Sequence, residues 1–344
     1  MRKSRRVYIT LSAALSIFLL WYLFSQIKAE DLTRTLSRIY YPPLFAYMAV
    51  NLMATWLRAW RYKWLLQPQA IGWGNIFMVT FIRNCFDDLL PARIGSLSYI
   101  YVLNRRLNFP FESATSTFVV AFVFDFLTLS PFLILALLAV GFGSAPFSGT
   151  SLLFLSLLFF LAIFIILWKL VPLSRFLLKI YQAFLTALKV HRRKWANGSV
   201  EKAHVILQSL SQIQARKIYF PLFFLSLLIR LGKYVSIYFL LFALLRSHGF
   251  SLQNLSIWKT ILGLTGAELT SALPIKGIAG FGTWESAWAF SFKLMNFEPR
   301  LAILSGITIH LLTNLFEYSL GIVSIAILAL PLVKKWKRRN PIKI

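Results

Sequence analysis

The sequence predicts an all-α integral membrane protein, and three observations carry that prediction. Apolar residues come in blocks long enough to cross a bilayer, which takes about 20 residues as helix. Of 344 residues, 58% are hydrophobic and only 14% charged, where a soluble domain carries roughly a quarter. The basic residues gather in the gaps between the blocks.

The blocks are Val7–Phe24, Pro43–Leu66, Gly74–Leu103, Phe111–Phe142, Ser151–Leu170, Ile218–Leu245, Leu252–Phe292 and Arg300–Val333. The first follows Arg2, Lys3, Arg5 and Arg6, and no small-residue cleavage pattern comes after it. It reads as a retained span with those charges held inside. Two blocks are broken in the middle. Gly74–Leu103 is interrupted at Asp87–Gly95 and Leu252–Phe292 at Pro274–Gly282. Proline removes a helix donor and glycine frees the backbone. Such breaks persist in a bilayer only inside protein or beside a water-filled cavity.

Charge decides the topology. Residues 171–217 hold nine Lys or Arg and residues 334–344 hold six, whereas Gly143–Thr150 holds none. Placing the basic segments inside makes both broken blocks re-entrant. The result is six full spans plus two hairpins, one dipping from the cytoplasm and one from outside. Both termini are then cytoplasmic, in an inner membrane. Arg58, Arg61 and Lys63 close the second span at its inner end. Lys28, Arg34, Arg38 and Arg246 fall outside as exceptions. If the broken blocks crossed fully, eight spans would result, with the uncharged and basic loops exchanging sides.

An inverted repeat follows. Residues 1–42 form an N-terminal span and an external amphipathic segment, and 43–142 a first repeat. Residues 143–217 add a span and a basic amphipathic loop, 218–333 form the second repeat, and 334–344 are a basic tail. Leu90-Pro91 matches Leu273-Pro274, with Arg93 and Lys276 each two positions after the proline. Phe124-Asp125-Phe126 corresponds to Phe316-Glu317-Tyr318. Inverted repeats with broken helices are a recurrent transporter plan. In the basic loop, Leu173, Phe176, Leu177, Ile180, Tyr181, Phe184, Leu185 and Leu188 keep helical spacing. That face suits an interfacial helix on the inner leaflet, or a cytoplasmic helix packed on the bundle.

Composition excludes other classes. A net charge of +26 suits an anionic leaflet better than nucleic acid, because no soluble basic domain is visible. The one cysteine, Cys85, excludes an intramolecular disulfide. No phosphate-binding loop, hydrolase elbow or metal-spaced Cys/His cluster occurs, so no cofactor and no metal are expected.

Charges inside a membrane cost about 2.5–3.5 kcal/mol each at its centre, so they are informative. Asp87, Asp88 and Arg93 surround the first break, and Arg83 sits one helical turn before Asp87. They suit a polar lining for a headgroup, or a local salt bridge that lets the hairpin fold. Lys276, Gly280, Gly282, Thr283 and Glu285 form the second break. A helix beginning near Thr283 would offer free N–H groups to an anion, beside a lysine; a tight turn requiring positive φ is the plainer reading. His310, Asn314 and Glu317 share one face of the last span, as a proton relay or as interhelical glue. Glu268 is a further intramembrane charge. Asp125 and Glu317 are expected to pair with Arg230 and Lys233 from the facing repeat.

Three stretches together resemble a known family: Leu90–Gly95, Asn108–Ala114 and Ala279–Glu285. They are similar to the flippase-like membrane family named for the transmembrane half of lysylphosphatidylglycerol synthase, over roughly residues 40 to 330. The resemblance implies a helical domain that moves an aminoacylated phospholipid to the outer leaflet. It points to Asp87–Gly95, faced by Gly280–Glu285, as the functional region. Many relatives carry Glu where Ser96 stands. The sequence ends on a basic tail rather than an aminoacyl-transfer domain, so a separate lipid-modifying enzyme is the expected partner. The expectation is thus a transporter, not an enzyme, passing an anionic phospholipid or lipid-linked headgroup along Asp87, Asp88, Arg93, Lys276 and Glu285; a homo-oligomer is compatible with it. The rival readings are an integral membrane enzyme, or an accessory protein, in polyprenyl-phosphate-linked sugar or lipid modification.

Overall fold

The computed structural model describes residues 18, 21–23, 25–140, 149–191, 193–271 and 281–329. Most of the predicted first span, most of the uncharged loop and the basic tail lie outside them. The described residues are helical, with no strand. In chain order the helices are α1 (Ala29–Ser37), α2 (Tyr41–Leu65), α3 (Trp73–Leu89), α4 (Phe111–Leu127), α5 (Leu129–Val140) and α6 (Gly149–Trp168). Then follow α7 (Leu170–Ala187), α8 (Lys194–Ala215), α9 (Tyr219–Leu245), α10 (Ile257–Ser271), α11 (Thr283–Leu294) and α12 (Pro299–Ala329). Four stretches among these are long and apolar enough to cross a membrane: Phe111–Val140, Thr150–Trp168, Tyr219–His248 and Pro299–Ala329.

Both broken blocks turn back on themselves. After α3 the chain reverses at Leu90 and returns through a 3-10 stretch, Pro91–Leu97, one α turn and a π turn, Val102–Arg106. Gly95 lies so close to α3 that a Cβ would stand 1.6 Å from the Phe86 carbonyl oxygen. Ser96 Oγ donates to Asp87 Oδ1 across the turn. Helices α10 and α11 form the second hairpin. A Cβ on Gly263 would meet Phe292 at 2.2 Å, and Lys259 Nζ donates to the Met295 carbonyl at 3.0 Å.

The hairpins open at opposite ends of the bundle. Ile71 and Leu107, which flank the first, join Leu65, Leu66 and Leu222 in one apolar core. At that end Arg216 caps α2, donating to the carbonyls of Trp64 (2.8 Å), Gln67 (3.1 Å) and Leu65 (3.3 Å). Residues flanking the second hairpin, Leu255 and Met295, belong to a second core with Leu244, Leu245 and Ala302. At this end Arg300 meets Asp31 of α1 at 2.5 Å. The Lys28 backbone N–H, together with Arg300, holds the Asp31 carboxyl below the usual carboxylate range.

Helices α2 and α9 run antiparallel through the middle, crossing where a Cβ on Gly232 would stand 3.0 Å from Ala54 Cβ. The first leg of each hairpin packs on the last long helix of the other half: α3 on α12, and α10 on α5. Gly321 makes the first contact close; a Cβ there would lie 2.4 Å from Cys85 Cβ.

The basic loop holds two helices where one was expected. On α7, Phe176, Leu177, Ile180, Phe184 and the following Leu188 are exposed, while Leu178 and Leu185 are buried. An apolar face turned away from protein is what a helix on a lipid surface presents. The second helix, α8, buries Leu210 and Ile213 against the bundle. The described part of the predicted span Phe111–Phe142 is one stretch able to cross, Phe111–Val140, with a single-residue turn at Thr128, whose hydroxyl donates back to the Phe124 carbonyl at 2.9 Å.

Candidate functional site

Between the two apolar cores lies a polar layer. On α2, α9 and α12 the sequence changes character at the same depth. Helix α2 runs from Tyr47 in one core through Asn51, Thr55 and Arg58 to Tyr62 and Leu65 in the other. Helix α9 passes from Leu222 through Ser226, Arg230 and Lys233 to Leu240. Helix α12 passes from Ile303 and Ile307 to His310, Asn314 and Glu317. These residues enclose a cavity of about 160 Å³. A cavity holds one water at roughly 10–15 Å³ of the same measure, so this one takes several.

The cavity gathers most of the predicted intramembrane charges. Arg83, Asp87, Asp88, Asp125, Arg230, Glu268, His310, Asn314 and Glu317 all line it. The first hairpin supplies Asp87 and Asp88 from the end of α3, and the second supplies Glu268 and Trp284. Lys276 and Gly280 lie outside the described residues. Arg93 falls in the 3-10 return, and its side chain is likewise outside the description.

Two arginines read from sequence as end-of-span charges belong to this layer instead. Arg61 is fully buried and meets Asp125 Oδ1 at 2.8 Å. Arg58 Nη1 donates to Asn84 Oδ1 at 2.8 Å. With Arg83, which lies 4.0 Å from Asp125 and 3.8 Å from Asp87, they form an arginine cluster larger than the acids it contacts. Arg58 Nε, Arg83 Nε, and Arg61 Nε and Nη2 are buried with no protein partner among the described residues. Of the three, Arg58 and Arg83 line the cavity, and the local excess of guanidinium charge suits an oxyanion such as phosphate. A signal for Arg58 was present: Asn51, Thr55 and Arg58 sit at i, i+4 and i+7, a polar stripe on an otherwise apolar helix.

The expected cross-repeat pairing is corrected. Arg230 and Lys233 pair with Glu268, at 2.6 and 2.5 Å, and not with the carboxylates of Asp125 or Glu317. Arg230 reaches Asp125 only at its backbone carbonyl. Glu317 accepts from Asn84 Nδ2 at 3.3 Å. The reason is depth: Glu268 faces α9 across its own half, while Asp125 is claimed by α2. The predicted Arg83–Asp87 contact is present.

Glu285 is corrected too. It does not line the cavity but is fully buried behind His310. Helix α11 starts at Thr283, and Gly282 precedes it at φ +88°, where only glycine is unstrained. The Gly282 N–H does not await an anion; it donates to Glu285 Oε2 at 2.8 Å. The other carboxylate oxygen lies 2.5 Å from His310 Nδ1. Trp284 stacks on the imidazole and Phe281 lies tilted against it, with centroids 5.0 and 4.6 Å away. No cluster of three or more His, Cys, Asp or Glu residues able to hold a metal is found among the described residues.

Residues 9–321 match the family described as the lysylphosphatidylglycerol synthase TM region. No curated protein and no solved structure matches the chain.

Proposed function

The chain belongs to the lysylphosphatidylglycerol synthase transmembrane-region family, and on that premise we propose that it carries a polar phospholipid headgroup across the bilayer as a flippase-like transporter without a chemical step. One observation carries this reading: a charge-lined cavity at mid-depth, between two hairpins that open at opposite ends. Arg58, Arg83, Arg230 and Lys233 share it with Asp87, Asp88, Asp125, Glu268 and Glu317. At about 2.5–3.5 kcal/mol per charge, a lining of this kind is an expensive way merely to fill space. The guanidinium groups of Arg58 and Arg83 line the cavity and suit the lipid phosphate, while acyl chains stay in the bilayer.

The antiparallel α2 and α9, and the exchange of partners between α3–α12 and α10–α5, support an inverted repeat. Alternating access then means one half rocking against the other around the fixed cavity. The basic loop end faces the cytoplasm in this reading, the membrane is the inner one, and a separate enzyme makes the lipid. The test is lipid movement in proteoliposomes, followed with a fluorescent phospholipid and with an aminoacylated one. Transport faster than in empty vesicles, reduced tenfold or more by Arg58→Ala with Arg83→Ala, is expected. Movement no faster than in empty vesicles removes the proposal. Covalent change of the lipid during incubation would favour a membrane enzyme instead.

A further inference from the structure

We propose that His310 and Glu285 form a proton-binding site that sets how firmly the second hairpin is held to α12, and that the proton is thereby the coupling ion of the transport proposed above. Only the last clause rests on the transport reading.

Glu285 is fully buried, and the neighbours that its carboxylate reaches are the Gly282 N–H at 2.8 Å and His310 Nδ1 at 2.5 Å. With Nδ1–H as the donor and the imidazole neutral, the pair carries one net negative charge. Among the described residues no Lys or Arg pairs with Glu285, and a buried carboxylate without a countercharge is costly. One proton on Nε2 makes the imidazolium and brings the pair to neutrality. His310 lines the cavity, and with Nδ1 turned to Glu285, Nε2 is the nitrogen left to take a proton from it. No bond breaks: the proton arrives through the cavity and returns there.

Among the described residues, the ion pair and the ring contacts of that imidazole all come from the second hairpin. Glu285 supplies the charge, and Phe281 and Trp284 supply ring faces at 4.6 and 5.0 Å. A cation is attracted to both an anion and an aromatic face, so protonation tightens all three contacts together. Loss of the proton loosens them together. What remains between α11 and α12 is packing, such as Trp288 against Gly306, and the Trp288 Nε1–H to Ser305 Oγ bond at 3.2 Å.

Other charges facing α12 come from the helices packed on it. Helix α3 brings Arg83, Asp87 and Asp88, α9 brings Arg230 and Lys233, α2 and α4 add Arg58 and Asp125 to the same cavity, and α1 brings Asp31 to Arg300 at the far start of α12. Glu317 stands two turns along α12 itself, and Glu268 of α10 lines the same cavity. Arg83, Arg230 and Lys233 each have a carboxylate within 4.0 Å, which leaves Glu285 as the acid in contact with His310.

The test uses purified full-length protein in nanodiscs. Tryptophan emission is titrated from pH 4 to 9 in the wild type, His310→Gln and Trp284→Phe. Spin labels on a Cys85→Ala background, at Phe290→Cys and Leu315→Cys, both exposed positions, report the separation of hairpin and α12. The proposal expects a one-proton quenching transition lost in both variants. It also expects a label distance that broadens on the alkaline side and does not respond to pH with His310→Gln. A flat wild-type titration, a transition that survives His310→Gln, or a pH-independent distance overturns it. Lipid movement is measured beside these. If both signals persist and no lipid moves, the transport reading falls and the proton site stands. If lipid moves and the signals are absent, the proton site falls alone.

Discussion

Arg61 and Asp125 meet at 2.8 Å between α2 and α4, with the guanidinium wholly withdrawn from solvent. Removing one partner of such a pair leaves an uncompensated buried charge, at roughly 3–5 kcal/mol. Asp125→Ala should therefore lower stability by about that amount in a detergent thermal-unfolding assay. Replacing both with apolar residues of similar size, Arg61→Met with Asp125→Leu, should recover most of the loss. A double variant as unstable as Asp125→Ala would contradict this account.

Gly95 allows the first hairpin to close. A Cβ there would fall 1.6 Å from the Phe86 carbonyl oxygen, and backbone cannot step aside as a flexible side chain does. Gly95→Ala should abolish recovery of monodisperse protein. Gly74→Ala, with nothing within 4 Å of its new methyl, should be neutral or stabilising by up to about 1 kcal/mol. Size-exclusion profiles of the two variants decide it.

Arg216 ties the loop between the two halves to the C-terminus of α2 through three backbone carbonyls. Cations near a helix C-terminus satisfy its orphan carbonyls and favour the dipole. Arg216→Ala should cost about 1 kcal/mol and raise hydrogen exchange selectively over residues 62–67. Exchange unchanged there would show the cap to be dispensable.

The exposed face of α7 should rest in lipid. Spin labels at Leu177 and Phe184 should be reached by oxygen more than by a water-soluble nickel reagent, at a depth of about 5–10 Å below the headgroups. Phe176→Asp with Phe184→Asp should lift the exposed face from the lipid while Leu178 and Leu185 keep the helix on the protein, leaving the bundle's unfolding temperature within about 1 °C, since surface changes rarely exceed 0.5 kcal/mol. Equal access of both reagents would return α7 to the aqueous phase.

Asp31 holds α1 on the start of α12. Its carboxyl is depressed in the folded protein by the Lys28 backbone N–H and by Arg300. That contribution is fully present above the ordinary carboxylate value of about 3.9 and is lost as pH falls through the folded value. Exchange protection across residues 29–37 should drop below pH 4, and Asp31→Asn should show the low-pH level throughout.

Much of the polar layer was legible because charge is scarce in hydrocarbon. Arg83, Asp87, Asp125, Arg230, Glu268, His310 and Glu317 stand out in the sequence for that reason alone, and all of them line the cavity, whereas Gly282, Thr283 and Glu285 of the second break do not. The pairings were not legible. Which acid an arginine meets depends on the depth and rotation of two helices, and sequence spacing fixes neither. Arg58 and Arg61 were misread because counting positive charge at span ends carries no depth. Glu285 was placed in the lining because charge at a break suggests exposure; its capping of Gly282 turns it inward. Helix α8 is hard to see in the sequence although Ala203, Ile206, Leu210 and Ile213 keep helical spacing, because the basic residues around them read as loop.

The exchange of partners between the halves bears on how the chain is made. Helix α3 completes its packing against α12, through Cys85 beside Gly321 and Asn84 beside Glu317. During synthesis those partners leave the ribosome more than two hundred residues later. Until then the nascent first hairpin must be sheltered within its own half, by Arg58 on Asn84 and by Asp125 beside Arg83. Chains interrupted before α12 would keep an open polar seam in the bilayer, a mark by which membrane proteases could tell unfinished copies from finished ones.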